Sequence, residues 1–579
     1  MLPVRRFVLL VLSLSLTGGG AGAADVVLDL SFGWNKSPIE VPSHSLQSPA
    51  DQSLRFTRVA GLISEIALVR SDGSSVHLPG QYGFFSADEN RNKIRLHNVP
   101  DGDYTGLSMR IGVPPKVNHG DPAQWPAGHA LNPLVNSLHW GWTGGYVFLA
   151  VEGKFGASPE TLDQGFSFHL ATDELAMPVR FNRKFSITGD SRILLMFDLA
   201  DWLGDLEMDS DRGTTSSHSR ENDPTARELA DRTGPAFWFG NAIADSSIAA
   251  QIEETPSTTS ATALLFDIPA GWPQPELPAD NLPTAAGVAL GESLFHDPRL
   301  SGNGTQSCSE CHQAKLAFGD NIALSIGING DLGERNSMPL FNLAWNPNFA
   351  WDGSQPRIRD QAIAAMTNPI EMDANPAVVV ATLETDETVR AAFATAFGDD
   401  EITTIRIGRA LEQFLLTLVS SDSKFDQMVA GHTELTAQET RGMELFNTEF
   451  DPRQRQFGAD CFHCHGGSLF TDFAAKNNGL DLRSIDAGRA KVTGEQSDYG
   501  KFKTPSLRNV ALTAPYMHDG RFDTLEDVMN HYVGGVQRPD QLDPNLAKHP
   551  GPGVPLSLED RDALIAFLKT LTDPKFAAN

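Results

Sequence analysis

The sequence predicts a multidomain chain: an N-terminal β-sandwich followed by two mainly α-helical domains, each built around a covalently held group. Three observations predict it. Between residues 25 and about 200, apolar and polar residues alternate with a period of two, as half-buried strands require. Two short motifs, CSECH at Cys308 to His312 and CFHCH at Cys461 to His465, then repeat one pattern in two similar helical contexts. At 579 residues the chain also exceeds one compact core, and a guide of roughly 150 residues per domain gives three or four units. The net charge of −28 disfavours nucleic acid and anionic membranes as partners and favours a basic protein or small neutral substrates.

Residues 1–23 come first. Arg5 and Arg6 precede an apolar run from Phe7 to Leu16, and small residues end in Ala21, Gly22 and Ala23. A charged start, a short apolar centre and a small-residue cut site describe a secretory signal peptide. The run is shorter than the ~20 apolar residues a spanning helix needs, and no later segment is long and apolar enough to span. The expectation is an exported, periplasmic protein that begins near Ala24 and has no membrane span after cleavage.

Residues 24–202 carry the β-sandwich. In GLSMRIGV the apolar Leu107, Met109, Ile111 and Val113 alternate with Ser108, Arg110 and Gly112, and FSFHL alternates likewise. Asp72-Gly73 and Asp101-Gly102 predict tight turns. Through YTGLSMRIGVPPKVNH, HWGWTGGYVFLAVEG and FSFHLA this region resembles the MbnP family of periplasmic copper-binding proteins. The resemblance implies copper, with His119, His139 and His169 as candidate ligands, since imidazole suits that metal. It also implies that a Trp, here Trp140 or Trp142, is oxidised to kynurenine. Taken alone, a His on a strand is more often a surface or core polar group, and a Trp in a sandwich more often a packing residue. The region has no Cys, which excludes a thiolate-type blue-copper centre.

Residues 203–263 read as linker, because GDLEMDSDRGTTSSHSRENDPTARELADRTGP and EETPSTTSATA are polar and poor in bulky apolar residues. Between them, AFWFGNAIADSSIAAQI reads as a short docking helix.

Residues 264–432 and 433–579 form the two helical domains. All four cysteines lie in the two C-x-x-C-H motifs. That pattern attaches c-type haem: Cys308 and Cys311, or Cys461 and Cys464, bond the porphyrin, and His312 or His465 ligates its iron. A thioredoxin-like pair or half a zinc site does not require a His after the second Cys, still less twice. Both domains are therefore cytochrome c domains by this reading. The last helix is marked by SLEDRDALIAFLKTL, with Ser557 as N-cap, Asp560 in the first turn, and Leu564, Leu568 and Leu571 at helical spacing.

From about Phe266 to Phe576 the chain resembles the bacterial dihaem cytochrome c peroxidase family, which includes MauG. The motifs LFHDPRLSGNGTQSCSECH, RNSMPLFNLAWNP, WDGS and TPSLRNVALTAPYMHDGRFDTLEDV carry the resemblance. It implies that the first haem reacts with peroxide and the second stores or relays electrons. Ile328 occupies the position of the distal His of many relatives, so the first iron is expected to be five-coordinate. Gln361 and Glu371 match the family's distal acid/base pair, although spacing alone leaves Glu371 a solvated carboxylate. Trp351 matches the Trp between the haems. Asn336, Thr513 and Pro515 fall where the family binds calcium, whose hard character suits their oxygens.

The family's detoxifying peroxidases ligate the second iron with a Met fourteen residues after the His of the PY-x-H motif. That His is His518, and the matching position is Tyr532, as in MauG. Met529 shares a helical face with Tyr532 and is its rival; His531 points away from that face, and Met517 is expected to point elsewhere. A phenolate lowers the potential and a thioether raises it. MauG-like enzymes then oxidise Trp or Tyr of a protein substrate.

The expected function is a peroxide-dependent haem oxidoreductase that oxidises Trp140 or Trp142 of its own N-terminal domain and matures a copper site. MauG's surface relay Trp corresponds here to Ala459, so the electron route must differ, with Phe457 or a substrate-domain aromatic as alternatives. One rival is a cytochrome c peroxidase that detoxifies hydrogen peroxide with a small redox protein as donor and Met529 as ligand. The other is a periplasmic copper-binding electron-transfer protein whose haems do not react with peroxide.

Overall fold

The computed structural model describes residues 23–140, 145–175, 177–210, 212–217, 223–245, 247–248, 266–451, 456–549 and 551–577. Residues 1–22 of the expected 1–23 signal peptide, and Trp142, lie outside the described residues. No described helix is long and apolar enough to cross a membrane.

The N-terminal region is β-rich. Its main strands are β1 (Ala23–Trp34), β2 (Ser53–Arg70), β3 (Lys93–Pro100), β4 (Gly102–Ile111), β5 (Val147–Gly156), β6 (Gln164–Ala171), β7 (Met177–Phe181), β8 (Ser191–Asp198) and β9 (Phe237–Ala244). One sheet is built on β1, which runs parallel to β8 and antiparallel to β3. The other runs in the order β7-β4-β2-β5-β6. Both contribute to one apolar core, where Phe32 meets Phe85 and Trp34 meets Phe56. Leu107, Met109, Ile111 and Val113 are all buried in it, as their alternation requires. The Asp72-Gly73 turn folds the chain back after β2. Asp101-Gly102 instead carries the chain from one sheet to the other, since β3 and β4 belong to different sheets.

Residues 203–263 are not simply a linker. Pro224–Thr233 is helical, capped by Asp223, and β9 pairs antiparallel with β8. The stretch read as a docking helix, AFWFGNAIA, is thus an edge strand. Its aromatic, strand-favouring residues alternate, with Phe237 buried and Trp238 exposed, and pairing with β8 decides the matter.

The helical region holds the same helix crossing twice. Its elements are α1 (Ala285–Phe295), α2 (Cys308–Cys311), α3 (Ile358–Thr367), α4 (Thr404–Leu416), α5 (Ala437–Phe446), α6 (Phe462–His465), α7 (Leu525–Gly534), α8 (Pro544–Ala547) and α9 (Leu558–Lys569). Where α1 crosses α4, a Cβ on Gly291 would lie 1.9 Å from the Ala410 carbonyl oxygen and 2.8 Å from Phe414 Cβ. Where α5 crosses α9, a Cβ on Gly442 would lie 1.9 Å from the Ala563 oxygen and 2.8 Å from Phe567 Cβ. Only glycine permits this approach, so each helix pair packs backbone against backbone at the crossing. Ser557 caps α9 by accepting the Asp560 N–H.

The two helical halves pack on each other on both sides of the 432/433 boundary. Phe425, on the helix Lys424–Val429, packs on Phe470 and Phe567 of the second half. At the other end the chain returns to the first half, where Phe576 packs on Phe318 and Phe341.

Candidate haem centres and the domain contact

The two C-x-x-C-H motifs fold alike. Cys308 and Cys311 bracket the short helix α2, and His312 follows it with Nδ1 3.0 Å from the Phe318 carbonyl. On α6, His465 Nδ1 lies 3.1 Å from the Phe470 carbonyl. A carbonyl acceptor fixes the proton on Nδ1 and leaves Nε2 as the lone-pair donor that a haem iron requires. Burial lowers both imidazole pKa values, which keeps the rings neutral. The four thiols are not joined in disulfides. This donor set fits two c-type haems.

The second motif opens onto a cavity of about 230 Å³ lined by Cys461, Cys464, His465, Met517, Met529 and Tyr532. Tyr532 lies on α7 opposite the haem motif, its phenol pushed up to about 12 by burial. Its Oη accepts a 3.2 Å hydrogen bond from Asn478 Nδ2. Met529 also lines the cavity, within the apolar cluster that includes Phe446 and Leu564. Met517 does not point elsewhere: its Sδ lies 3.5 Å from the same Asn478 amide. Its φ of +75° reverses the chain locally and turns the side chain inward, which sequence spacing does not reveal.

Around the first motif, the Ile328 N–H donates to the Glu371 carbonyl at 2.9 Å, so these two positions adjoin. The Glu371 carboxylate accepts from Asn368 Nδ2 at 2.8 Å, and burial raises its pKa, with the Asn368 bond opposing in part. Gln361 sits on α3, partly buried. Trp351 donates its indole N–H to the Asn336 carbonyl at 2.8 Å, and the Asn336 N–H donates to the His518 carbonyl at 2.8 Å. Asn336, Thr513 and Pro515 all line the second cavity. Asn336 Nδ2 is engaged by the Ile322 and Ala323 carbonyls, which leaves Oδ1 as the available donor of that side chain.

The β-rich domain rests directly on the second motif. Every residue of β5 is buried, including Glu152 and Lys154, and so are Ser167 and His169 of β6. These belong to the polar face of an alternating pattern, and the helical region covers them. Lys154 Nζ donates to the Asp540 carbonyl at 2.7 Å, and Arg538 donates to the Asp163 carbonyl at 2.5 Å. A Cβ on Gly165 would lie 2.2 Å from the Pro544 carbonyl oxygen of α8. Across this contact Trp140 meets Phe462 edge to face, centroids 6.0 Å apart, and His169 meets His463 at 5.4 Å. Phe462 and His463 are the two residues between Cys461 and Cys464. A cavity of about 830 Å³ reaches the contact and is lined by Trp140, Glu152, His169, Phe462 and His463 among others.

The three candidate copper ligands are not gathered in one place. His119 is exposed and bonds Asp173, while His169 is buried with Nε2 2.8 Å from Glu152. His139 packs on Tyr146, and burial pushes its pKa down to about 4. Among the described residues, Glu449, Asp460 and His463 form the one group of three such side chains close enough to share an ion. Lys548 Nζ already sits there, 2.9 Å from Glu449 and 3.4 Å from Asp460.

Sequence reasoning missed Phe462, His463 and Asn478. A signal existed for the first two: the second motif places an aromatic pair where the first has Ser309 and Glu310. Ala459, at the position of MauG's surface relay Trp, is buried, and Phe457 is exposed and packs on Phe450.

The family model for di-haem cytochrome c peroxidase matches residues 285–434, and the MbnP model matches residues 23–219. Methylamine utilization protein MauG of Methylorubrum extorquens is 36% identical over 299 residues, covering 51% of this chain and 80% of that protein. Cytochrome c551 peroxidase of Nitrosomonas europaea is 34% identical over 288 residues, covering 49% and 79%. Among solved structures, a MauG-like protein associated with microbial copper homeostasis is 34% identical, with a TM-score of 0.49, and aligns with 54% of this chain and 97% of that one.

Proposed function

The chain belongs to the di-haem cytochrome c peroxidase family, and on that premise we propose that it is an exported, periplasmic enzyme that uses hydrogen peroxide to oxidise Trp140 of its own MbnP-like domain. In this reading residues 1–23 are removed as a signal peptide, and the helical region comprises two cytochrome c domains. The contact of Trp140 with Phe462, a residue inside the second haem motif, carries the proposal. It supplies a route that needs no surface relay Trp.

Haem, when bound, supplies the redox chemistry, taking oxidising equivalents from peroxide and drawing electrons from the protein. His312 and His465 would hold the two irons, and Tyr532, which lines the cavity of the second motif, would be a further ligand there. Glu371, its pKa raised by burial, accepts and returns the peroxide proton, and Gln361 orients the peroxide. Trp351 passes electrons between the centres. Asn336, Thr513 and Pro515 would supply oxygens to a calcium ion. Two hydrogen peroxide molecules take four electrons from the indole in all. Two oxygen atoms are added at indole C2 and C3, the bond between them breaks, and two waters leave. Hydrolysis of the resulting formyl group releases formate and leaves kynurenine. The new amine and carbonyl would then contribute to a copper site together with His139 and His169, which line the same cavity as Trp140; His119 stands apart.

The test is to add a few equivalents of peroxide to the purified diferric protein and map peptide masses over residues 125–155. A kynurenine shift at Trp140, absent in Tyr532→Met, supports the proposal, and a shift at Trp142 alone moves the reaction to its neighbour. Unmodified tryptophans with rapid peroxide loss would make this a detoxifying peroxidase fed by a small redox protein.

A further inference from the structure

The second cavity brings a hard donor and a soft one under one amide. Asn478 Nδ2 donates to Tyr532 Oη at 3.2 Å and lies 3.5 Å from Met517 Sδ. The Asn478 backbone is itself anchored, because its carbonyl accepts from His531 Nε2 at 3.1 Å, one residue before Tyr532. Its neighbours are tied as well: Asn477 Oδ1 accepts the Gly479 N–H at 2.9 Å, and the Gly479 carbonyl accepts the Gln537 N–H at 2.7 Å. The backbone that carries the amide is therefore anchored, and both donors lie within reach of its Nδ2. Met529 has a different setting, buried in the apolar cluster of Phe446, Leu525 and Leu564.

We propose that Asn478 decides which side chain takes the sixth position of the second haem, presenting Tyr532 and restraining Met517, so that Met517 rather than Met529 is the reserve ligand. The inference rests on the reading of Tyr532 as the native ligand. A hydrogen bond to an anionic oxygen favours its charged, coordinating form. The same amide, shared with the thioether, keeps the sulfur beside the site without delivering it. Asn478 is a positioning residue: it acts through the two donors.

The test uses the full-length, haem-loaded protein and reads ferric ligand-field bands and the second haem's midpoint potential. Tyr532→Phe is expected to show a thioether-to-iron band and an upward shift in potential. Adding Met517→Leu should abolish the band, and adding Met529→Leu should leave it. A band that survives Met517→Leu, or no thioether ligation in Tyr532→Phe, overturns the inference. With Tyr532 intact, Asn478→Ala should yield a mixture with thioether character, and Asn478→Gln should restore the native spectrum. An Asn478→Ala spectrum identical to the native one also overturns it. If Tyr532→Phe leaves the native spectrum unchanged, Tyr532 is not the ligand and the functional reading fails with it. If a phenolate signature is lost but Met517 does not take over, only the present inference falls.

Discussion

The indole of Trp140 and the phenyl ring of Phe462 meet edge to face at 6.0 Å across the boundary between the β-rich domain and the helical region. The contact is flanked by polar bonds that cross the same boundary, Lys154 to the Asp540 carbonyl and Asn545 to the Glu152 carboxylate. Its geometry therefore responds to small changes at the interface.

Gly165→Ala tests that geometry away from the rings. The added Cβ meets the Pro544 carbonyl at 2.2 Å, so β6 must move from α8 and shift His169, against which Trp140 packs. A misplacement of 1 Å costs on the order of 100-fold in a reaction that depends on contact. Trp140 modification should slow by about that factor, while peroxide consumption in the presence of an added reductant is unchanged. Quantitative peptide mapping beside a peroxide assay separates the two. Equal rates of modification would show that the contact is not the route.

In the proposed mechanism Glu371 sets a pH dependence. Burial raises its pKa above the ordinary carboxylate range, and the Asn368 hydrogen bond holds it partly down by favouring the charged form. As a base it works only when ionised, so kcat/KM for peroxide should rise through that raised pKa as pH increases. Asn368→Ala removes the lowering influence and should move the limb to higher pH. Glu371→Gln should abolish the limb and slow the reaction by roughly 10²–10⁴-fold. An unchanged profile in Glu371→Gln would assign the proton to another group.

Arg508 links the halves of the helical region energetically. It is fully buried, donates to both oxygens of Asp426 at 2.8 and 2.9 Å, and stacks its guanidinium 4.3 Å from the Trp272 ring. Burial alone would raise the Asp426 pKa, but the Arg508 bonds and charge more than offset it and the net value is lowered. The pair's stabilisation is therefore complete above the ordinary carboxylate pKa and fades as pH falls through the lower folded value. Arg508→Ala leaves a buried carboxylate uncompensated and should cost about 3–5 kcal/mol at neutral pH, by denaturant unfolding. The deficit should shrink in acid; a constant deficit would point to lost packing instead.

Legibility in the sequence followed how local the cause was. The haem motifs, the alternation of Leu107, Met109 and Ile111, and the Ser557 cap depend on residues a few positions apart, and all could be read. β9 could not, because its strand character comes from pairing with β8 some forty residues earlier, and its length and small residues also suit a helix. Met517 was misread because a left-handed φ inverts the direction that spacing implies. Gly291 and Gly442 were visible as residues but not as packing sites, since each faces a carbonyl over a hundred positions away. The Trp140–Phe462 contact joins positions over three hundred apart, and only docking of two folded domains creates it.

Asn336 provides the last prediction. Its carbonyl accepts the Trp351 indole N–H, and its own N–H reaches the His518 carbonyl, so one residue joins the Trp351 indole to the wall of the second cavity. With Nδ2 engaged by two carbonyls, its Oδ1 is the side-chain oxygen left for a cation, alongside Thr513 and Pro515. A hard cation there would fix all three at once. Exhaustive chelation should therefore perturb the second centre's absorption and reduce Trp140 modification by about tenfold or more, because Trp351 loses its placement. Binding of a small ligand to the first iron should persist. Calcium should restore both signals in the native chain but not in Asn336→Ala, whose oxygen donor is gone. Metal analysis that finds no calcium, together with unchanged spectra after chelation, would leave Asn336 as a hydrogen-bonding bridge alone.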